Sequence, residues 1–363
     1  MLLRFQHKTL TEDGKNSSNR VTWPNNPRGI QPGKEDLMKR FPSFSFGLVL
    51  GVALFAFLDG VQAQEKYPGR PIELVVPFGP GGTADLAARA YSDDLAKLLK
   101  VPITVVNRAG GTGIQGTSYV INGKKDGYTL LGTTDTPLKV MPVISKEVNY
   151  DPLKAVIPIG HLGYAPSVFA VKSDSPFKTL AELIDFARKN PGKLKNAASG
   201  FGTESFFNLQ FLSHKENIKI TSIPFKGGGE AVVALLGGHT DMASNTLASL
   251  SPQLKAGAVR GLAICTKKRH PDFPDIPTTA EIGYPDLTLA VWTAIFTPAG
   301  VPQQVIDVLV PAVEKTFKNP QVIERATNAG IVVEYKGPQE TRKLLESGIE
   351  IVKKVAQEAE MVK

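Results

Sequence analysis

Backbone amides and hydroxyls, rather than histidines or paired carboxylates, occupy the positions of this chain best placed to do chemistry. The run Ile72-Glu73-Leu74-Val75-Val76-Pro77-Phe78 opens into Gly79-Pro80-Gly81-Gly82-Thr83-Ala84-Asp85. A second apolar run, Ile103 to Val106, passes through Asn107 and Arg108 into Ala109-Gly110-Gly111-Thr112-Gly113. Each places flexible backbone between a predicted parallel strand and a helix. Such a turn presents free N–H groups at a helix N-terminus, where the helix dipole also favours an anion. Two such turns converging at the strand ends of one sheet are expected to cradle a carboxylate or phosphate.

Further polar strand ends follow. They are Thr133-Thr134-Asp135-Thr136, Ser199-Gly200-Phe201-Gly202-Thr203-Glu204-Ser205, Lys226-Gly227-Gly228-Gly229 and Ser244-Asn245. Each group has two readings. Ser199, Thr203 and Ser205 can bond a ligand or cap the following helix. Thr83 reads as a helix N-cap. Asp85 reads as a first-turn acid that favours the dipole, in preference to a general base. Lys226 can neutralise a carboxylate or stand as a solvated strand-end lysine, and Asn245 is a candidate amide contact.

Catalytic motifs do not accompany these turns. His161, His214, His239 and His270 fall outside any recognisable pattern, and neither Gly-x-Ser-x-Gly nor His-Glu-x-x-His occurs. The glycine spacings fit neither the Walker loop nor the full dinucleotide fingerprint, so no cofactor is expected. With one cysteine, Cys265, an internal disulfide and a cysteine metal cluster are both excluded. Cys265 reads as a small core residue, and no metal site is expected.

The elements that must position the turns alternate strand and helix. Predicted helices cover 84–100, 113–122, 179–189, 231–236, 303–318, 320–329 and 338–358, with another after Thr203. Predicted strands cover 72–76, 103–106, 128–132, 156–159, 167–171, 221–225, 260–265, 290–296 and 331–335, residues 195–198 run into a polar turn, and 240–245 read as a short strand and turn. The alternation comes in two blocks with similar polar turns, which predicts two α/β lobes facing each other across a cleft.

The N-terminus is read apart from the fold. Residues 1–37 are polar and aperiodic, and Met38 is read as the start, with 1–37 a non-native or dispensable extension. Met38-Lys39-Arg40, the apolar run Phe44–Leu58 and the small residues Val61 and Ala63 fit a signal peptide over 38–63, cleaved after Ala63. Of 42 basic and 34 acidic side chains in the 363-residue chain, eight and five lie in residues 1–63, leaving a net +5 beyond them. This mild charge, with no basic block, gives nucleic-acid binding no support.

One ordered set of motifs goes further. It comprises Tyr67-Pro68-x-x-Pro71-Ile72, Val76-Pro77-Phe78-x-Pro80-Gly81-Gly82-x-x-Asp85, Asn107-Arg108 and Asp126-Gly127-Tyr128-Thr129-Leu130-Leu131. It continues through Pro224-Phe225-Lys226-Gly227-Gly228-Gly229-Glu230-Ala231, Leu236-Gly237-Gly238-His239-x-Asp241, Pro274-Asp275-Ile276-Pro277-Thr278, Trp292 and Thr297-Pro298-Ala299-Gly300-x-Pro302. The set resembles the substrate-binding receptors of tripartite tricarboxylate transporters, the TctC or Bug family. The resemblance implies a two-lobed periplasmic binding protein of the type II, Venus-flytrap kind, with lobes over 65–165 plus 287–363 and over 166–286. It implies a small organic anion as ligand (a di- or tricarboxylate, aromatic acid or acidic amino acid) held by backbone amides and waters. It also implies membrane permease subunits of the TctA/TctB type as partners. Carried over, Phe78, Gly81, Gly82 and Asp85 line one jaw with Thr133 and Thr134, and Ser199, Gly202, Thr203, Lys226 and Gly227 line the other. Thr83 and Asn245 complete the candidate set. Gly79 and Ala109 stand where many relatives have proline. The alternatives to transport are an enzyme acting on an anion in the same cleft, and a receptor that serves a signalling protein.

Overall fold

In the computed structural model, which describes residues 66–358, two half-sheets share one long strand. The signal-peptide and start-site expectations lie outside the described residues. In the first half-sheet β1 (Ile72–Val76) lies between β2 (Ile103–Asn107) and β3 (Thr129–Thr134), all parallel. β3 pairs antiparallel with β9 (Ala290–Pro298), and β9 with the first part of β4 (Val156–Lys172). β10 (Val332–Lys336) closes the other side of β4. In the second half-sheet β5 (Lys195–Ala198) runs parallel to β6 (Thr221–Pro224) and β7 (Met242–Thr246). The second part of β4 pairs antiparallel with β7 and with β8 (Val259–Ile264). β4 therefore leaves the first half-sheet after Pro166, enters the second at Ser167, and the chain returns to the first at Ala290.

Helices cover both half-sheets because their apolar stripes need a partner face. α1 (Thr83–Leu99), α2 (Ile114–Ile121), α10 (Gln303–Phe317), α11 (Pro320–Asn328) and α12 (Pro338–Glu358) belong with the first. Its core joins Leu74, Tyr91, Leu130 and Phe317, with the Tyr91 and Phe317 rings 5.0 Å apart. α6 (Leu180–Lys189) and α7 (Glu204–Lys215) belong with the second, around Phe169, Leu183, Leu209 and Met242, as do α8 (Gly228–Leu236) and α9 (Leu247–Lys255), around Val168, Ala197, Leu235 and Leu250. Three one-turn helices, α3 (Thr136–Lys139), α4 (Met141–Ile144) and α5 (Pro152–Ala155), fill the connection between β3 and β4. Thr179, Thr203 and Thr246 cap α6, α7 and α9 by accepting backbone N–H bonds.

Three expectations change. The predicted strands 156–159 and 167–171 are one strand of 17 residues. The intervening Gly160 and Gly163 mark register shifts rather than a turn; a Cβ on Gly163 would lie 2.2 Å from the Val332 carbonyl oxygen. Thr83 is not an N-cap. Gly82 holds that position, and Thr83 is the first helical residue. α9 has no counterpart in the predicted elements, because Pro252 interrupts the helical reading of Leu247, Leu250 and Leu254.

His161, on β4, is 2% exposed, and its Nδ1 lies 2.9 Å from the Glu334 carbonyl oxygen. Burial pushes the ring's pKa down to about 4, against the opposing effect of that hydrogen bond. An unfolded histidine takes up its proton near pH 6.5 while the folded ring stays neutral to about pH 4. Stability contributed by this group is thus full above pH 6.5 and lost as pH falls toward 4, by roughly 2–3 kcal/mol. Denaturant titrations of the protein and of His161→Gln should show a stability difference that narrows by about that amount between pH 7 and 4.5. A difference that is flat with pH contradicts the assignment.

Candidate functional site

Four helices begin at one small cavity between the half-sheets. Thr83 and Ala84 open α1, Thr203 caps α7, Gly228 opens α8, and Thr246 caps α9. All five residues line the cavity, with Phe78, Gly82, Thr134, Thr136, Ser199, Asn245, Ser249 and Val291. No lysine, arginine or histidine is among these lining residues. The wall is therefore uncharged, but the positive ends of four helix dipoles meet there. The cavity of about 30 Å³ has room for one water-sized group, so a larger ligand needs the facing loops to move apart.

The loops approach backbone to backbone. Gly79 N–H donates to the Lys226 carbonyl oxygen at 3.2 Å. A Cβ on Gly82 would lie 3.4 Å from the Gly228 nitrogen, and one on Gly229 only 2.1 Å from the Pro80 carbonyl oxygen. Across the same gap the Thr83 and Thr246 hydroxyls lie 2.7 Å apart, and Thr246 continues to the Ser249 hydroxyl at 3.1 Å. Thr83 can make this contact because its hydroxyl is not occupied in capping.

Asp85 organises the first loop from behind. Its carboxylate accepts from Gly81 N–H at 2.9 Å, from Arg89 Nε at 3.0 Å and from Asn107 Nδ2 at 2.9 Å. Asn107 also donates to the Phe78 carbonyl oxygen at 3.0 Å. Gly81 adopts φ +74°, a conformation that glycine takes without strain. Asp85 thus holds the shape of the turn while its charge is met by Arg89.

The other predicted residues divide. Phe78, Gly82, Thr83, Thr134, Ser199, Thr203 and Asn245 line the cavity; Gly81, Asp85, Thr133, Gly202, Lys226 and Gly227 stand behind or beside it. The Thr133 hydroxyl donates to the Thr134 carbonyl oxygen at 2.9 Å. Gly202 packs toward Met141 and Ile144, and Gly227 caps α8. Lys226 is exposed and contributes its backbone carbonyl. The Asn245 amide is engaged at both ends, donating to the Gly228 carbonyl oxygen at 3.0 Å and accepting from Thr246 N–H at 2.8 Å. Thr203 caps α7 through Phe206 N–H at 3.3 Å and also donates to the Gly200 carbonyl oxygen.

The expectation that two glycine turns form the cradle is corrected. The second turn does not line the cavity; Gly113 packs behind Phe78 and Pro137, and Thr112 meets Gly200. Ala84, Thr136, Gly228, Thr246, Ser249 and Val291 were missed. The Thr246-x-x-Ser249 spacing, a hydroxyl cap ahead of an apolar helix, was the available signal for two of them. A larger cavity of about 790 Å³ lies elsewhere, between the start of α6 and residues 272–277. Its Arg260 is already bonded to the carbonyl oxygens of Ser173, Ser175 and Phe177, so the larger space offers no free guanidinium to an anion.

The model of the tripartite tricarboxylate transporter family receptor matches residues 87–361. The chain belongs to this family. Three solved structures, each 28% identical, share its fold. They are the periplasmic binding protein BugD, with a TM-score of 0.77 over 82% of this chain and 100% of that one; MatC from Rhodopseudomonas palustris with bound malate, 0.74 over 80% and 99%; and a second R. palustris protein with adipate, 0.76 over 80% and 97%. The architecture is the two-lobed α/β binding-protein fold with a cleft between the lobes, as the resemblance implied. Receptors of this family bind substrate and are not enzymes. Among the described residues no helix is long and apolar enough to cross a membrane, and no group of three or more His, Cys, Asp or Glu side chains is placed to hold a metal.

Gly82→Val places a β-branched side chain against Gly228 in the gap a ligand must enter. The variant is expected to fold with near-normal stability and to lose at least tenfold in ligand affinity, about 1.4 kcal/mol or more. Unchanged affinity in the folded variant would remove the first loop from the site.

Proposed function

We propose that the chain is a periplasmic solute receptor that closes two lobes around a small organic carboxylate and delivers it to a permease of the tripartite tricarboxylate type. The observation that carries the reading is the meeting of four helix N-termini and a row of hydroxyls at one cavity between the lobes. Helix N-termini supply oriented donors for carboxylate oxygens without a fixed counter-charge. The malate and adipate in two solved relatives support a dicarboxylate of short to medium length.

In this reading the lobes cover 65–165 plus 287–363 and 166–286. One carboxylate meets the first-turn amides of Thr83 and Ala84 and the Thr83 and Thr134 hydroxyls. Ser199, Thr203 and the Gly228 loop face the rest of the ligand. Gly81, Asp85, Gly227 and Asn245 shape these loops, and Phe78 and Val291 form the apolar wall. The chain reaches the periplasm by the signal peptide over 38–63, cleaved after Ala63. Ligand favours the closed lobes by its differential contacts with both, and the closed form is what the permease subunits receive.

Calorimetric titration tests this directly. The protein is first unfolded and refolded to strip retained ligand, then titrated with malate, adipate, citrate, benzoate and glutamate. Saturable one-to-one binding of at least one acid, with no turnover, is the expected result. Silence across the panel would overturn the carboxylate assignment and leave the fold standing.

A further inference from the structure

Beside the ligand cavity lies a buried charge cluster for which binding has no direct use. Asp135 and Lys139 belong to the turn after β3, in the first half-sheet, and Glu204 is the first residue of α7, after β5 in the second. The side chains are 0%, 14% and 3% exposed. Lys139 Nζ lies 2.7 Å from Glu204 Oε1 and is also ion-paired with Asp135. Thr136, which lines the cavity, donates its hydroxyl to Glu204 Oε2 at 3.1 Å. Apart from the ion pairs with Lys139, both Asp135 oxygens and Glu204 Oε1 have no hydrogen-bond partner.

The cluster sets one ammonium against two carboxylates, all three largely removed from solvent. Asp135 and Lys139 balance each other within one lobe. Closure adds Glu204 from the other lobe, and the ligand brings further negative charge to the far side of Thr136. A buried surplus of negative charge is costly, and a shared proton is the cheapest relief. We infer that closure over a carboxylate takes up one proton at the Asp135–Lys139–Glu204 cluster, so that Glu204 links ligand affinity to pH. The proton passes from solvent to a carboxylate oxygen of Asp135, leaving the closed cluster with one cation and one anion.

Electrostatics agree with the geometry. Burial, and then the Glu204 charge, push the Asp135 carboxyl well above the ordinary carboxylate range, against the pull of Lys139. Burial works against the Lys139 ammonium, but Asp135 and Glu204 outweigh it and hold it charged. Among the described residues these three are the charged groups that bear on one another here; α12 meets Lys139 through Gly348.

The inference rests on the carboxylate-receptor reading. Its test is calorimetry of the protein with malate and with adipate near pH 7, where both ligands are fully ionised, in buffers of different ionisation enthalpy. The dependence of binding heat on buffer heat should report uptake of about one proton, and affinity should fall by up to about tenfold for each unit that pH rises through the range where that uptake is seen. Glu204→Gln leaves Lys139 and Asp135 balanced and should reduce the uptake to near zero. Asp135→Asn balances the cluster from the other side, should do the same, and serves if Glu204→Gln does not fold. Ligand binding whose heat is independent of buffer overturns the inference and leaves the receptor reading intact. Full uptake persisting in either folded variant overturns the assignment to this cluster. An absence of binding heat with both acids overturns the inference together with the carboxylate assignment.

Discussion

The structure depends on gathering four helix N-termini and a row of hydroxyls at one cavity that no lysine, arginine or histidine lines. A lysine or arginine in the cavity would be an unpaired buried charge whenever ligand is absent, at a cost of several kcal/mol. Helix N-termini avoid that cost because their partial charges are built into the backbone. Each is worth about 0.3–1 kcal/mol to a nearby anion, and up to about 2 in partly buried geometry. Four helices beginning at one point add the Thr83, Thr203, Thr246 and Ser249 hydroxyls to these amides.

Glycine follows from the same constraint. Backbone amides reach a ligand only where side chains do not intervene, and the two facing loops approach closely enough that a Cβ on Gly229 would overlap the Pro80 carbonyl oxygen. A loop this bare needs support from outside the cleft. Asp85, Asn107 and Arg89 supply it with a hydrogen-bonded network that fixes Gly81 and Phe78. The charged residues of the first loop thus serve its shape, and the neutral ones face the cavity.

Much of this arrangement was legible in local sequence. The β-strand, glycine turn and helix around Val76–Asp85 follow from turn chemistry and apolar spacing, and the ordered motifs from Tyr67 to Pro302 identify the family. Contacts set by the approach of distant segments were not legible. Thr83 looks like an N-cap in isolation, but the structure makes Gly82 the cap and leaves the hydroxyl free for Thr246. The second glycine turn resembles the first in sequence, but its position behind Phe78 turns it into a buttress. Pro252 concealed α9, and with it Thr246 and Ser249. The segments 156–159 and 167–171 read as separate strands, although they belong to a single strand with register shifts at Gly160 and Gly163.

The most direct measurement is a crystal structure of the protein with a saturating dicarboxylate. One carboxylate is expected within hydrogen-bond distance of the Thr83 and Ala84 amides and the Thr134 hydroxyl, with Ser199 or Thr203 on the opposite side and no lysine or arginine side chain touching the ligand. A ligand bound outside the cleft, or held in it by a basic side chain, would show that the helix N-termini are not the anion site.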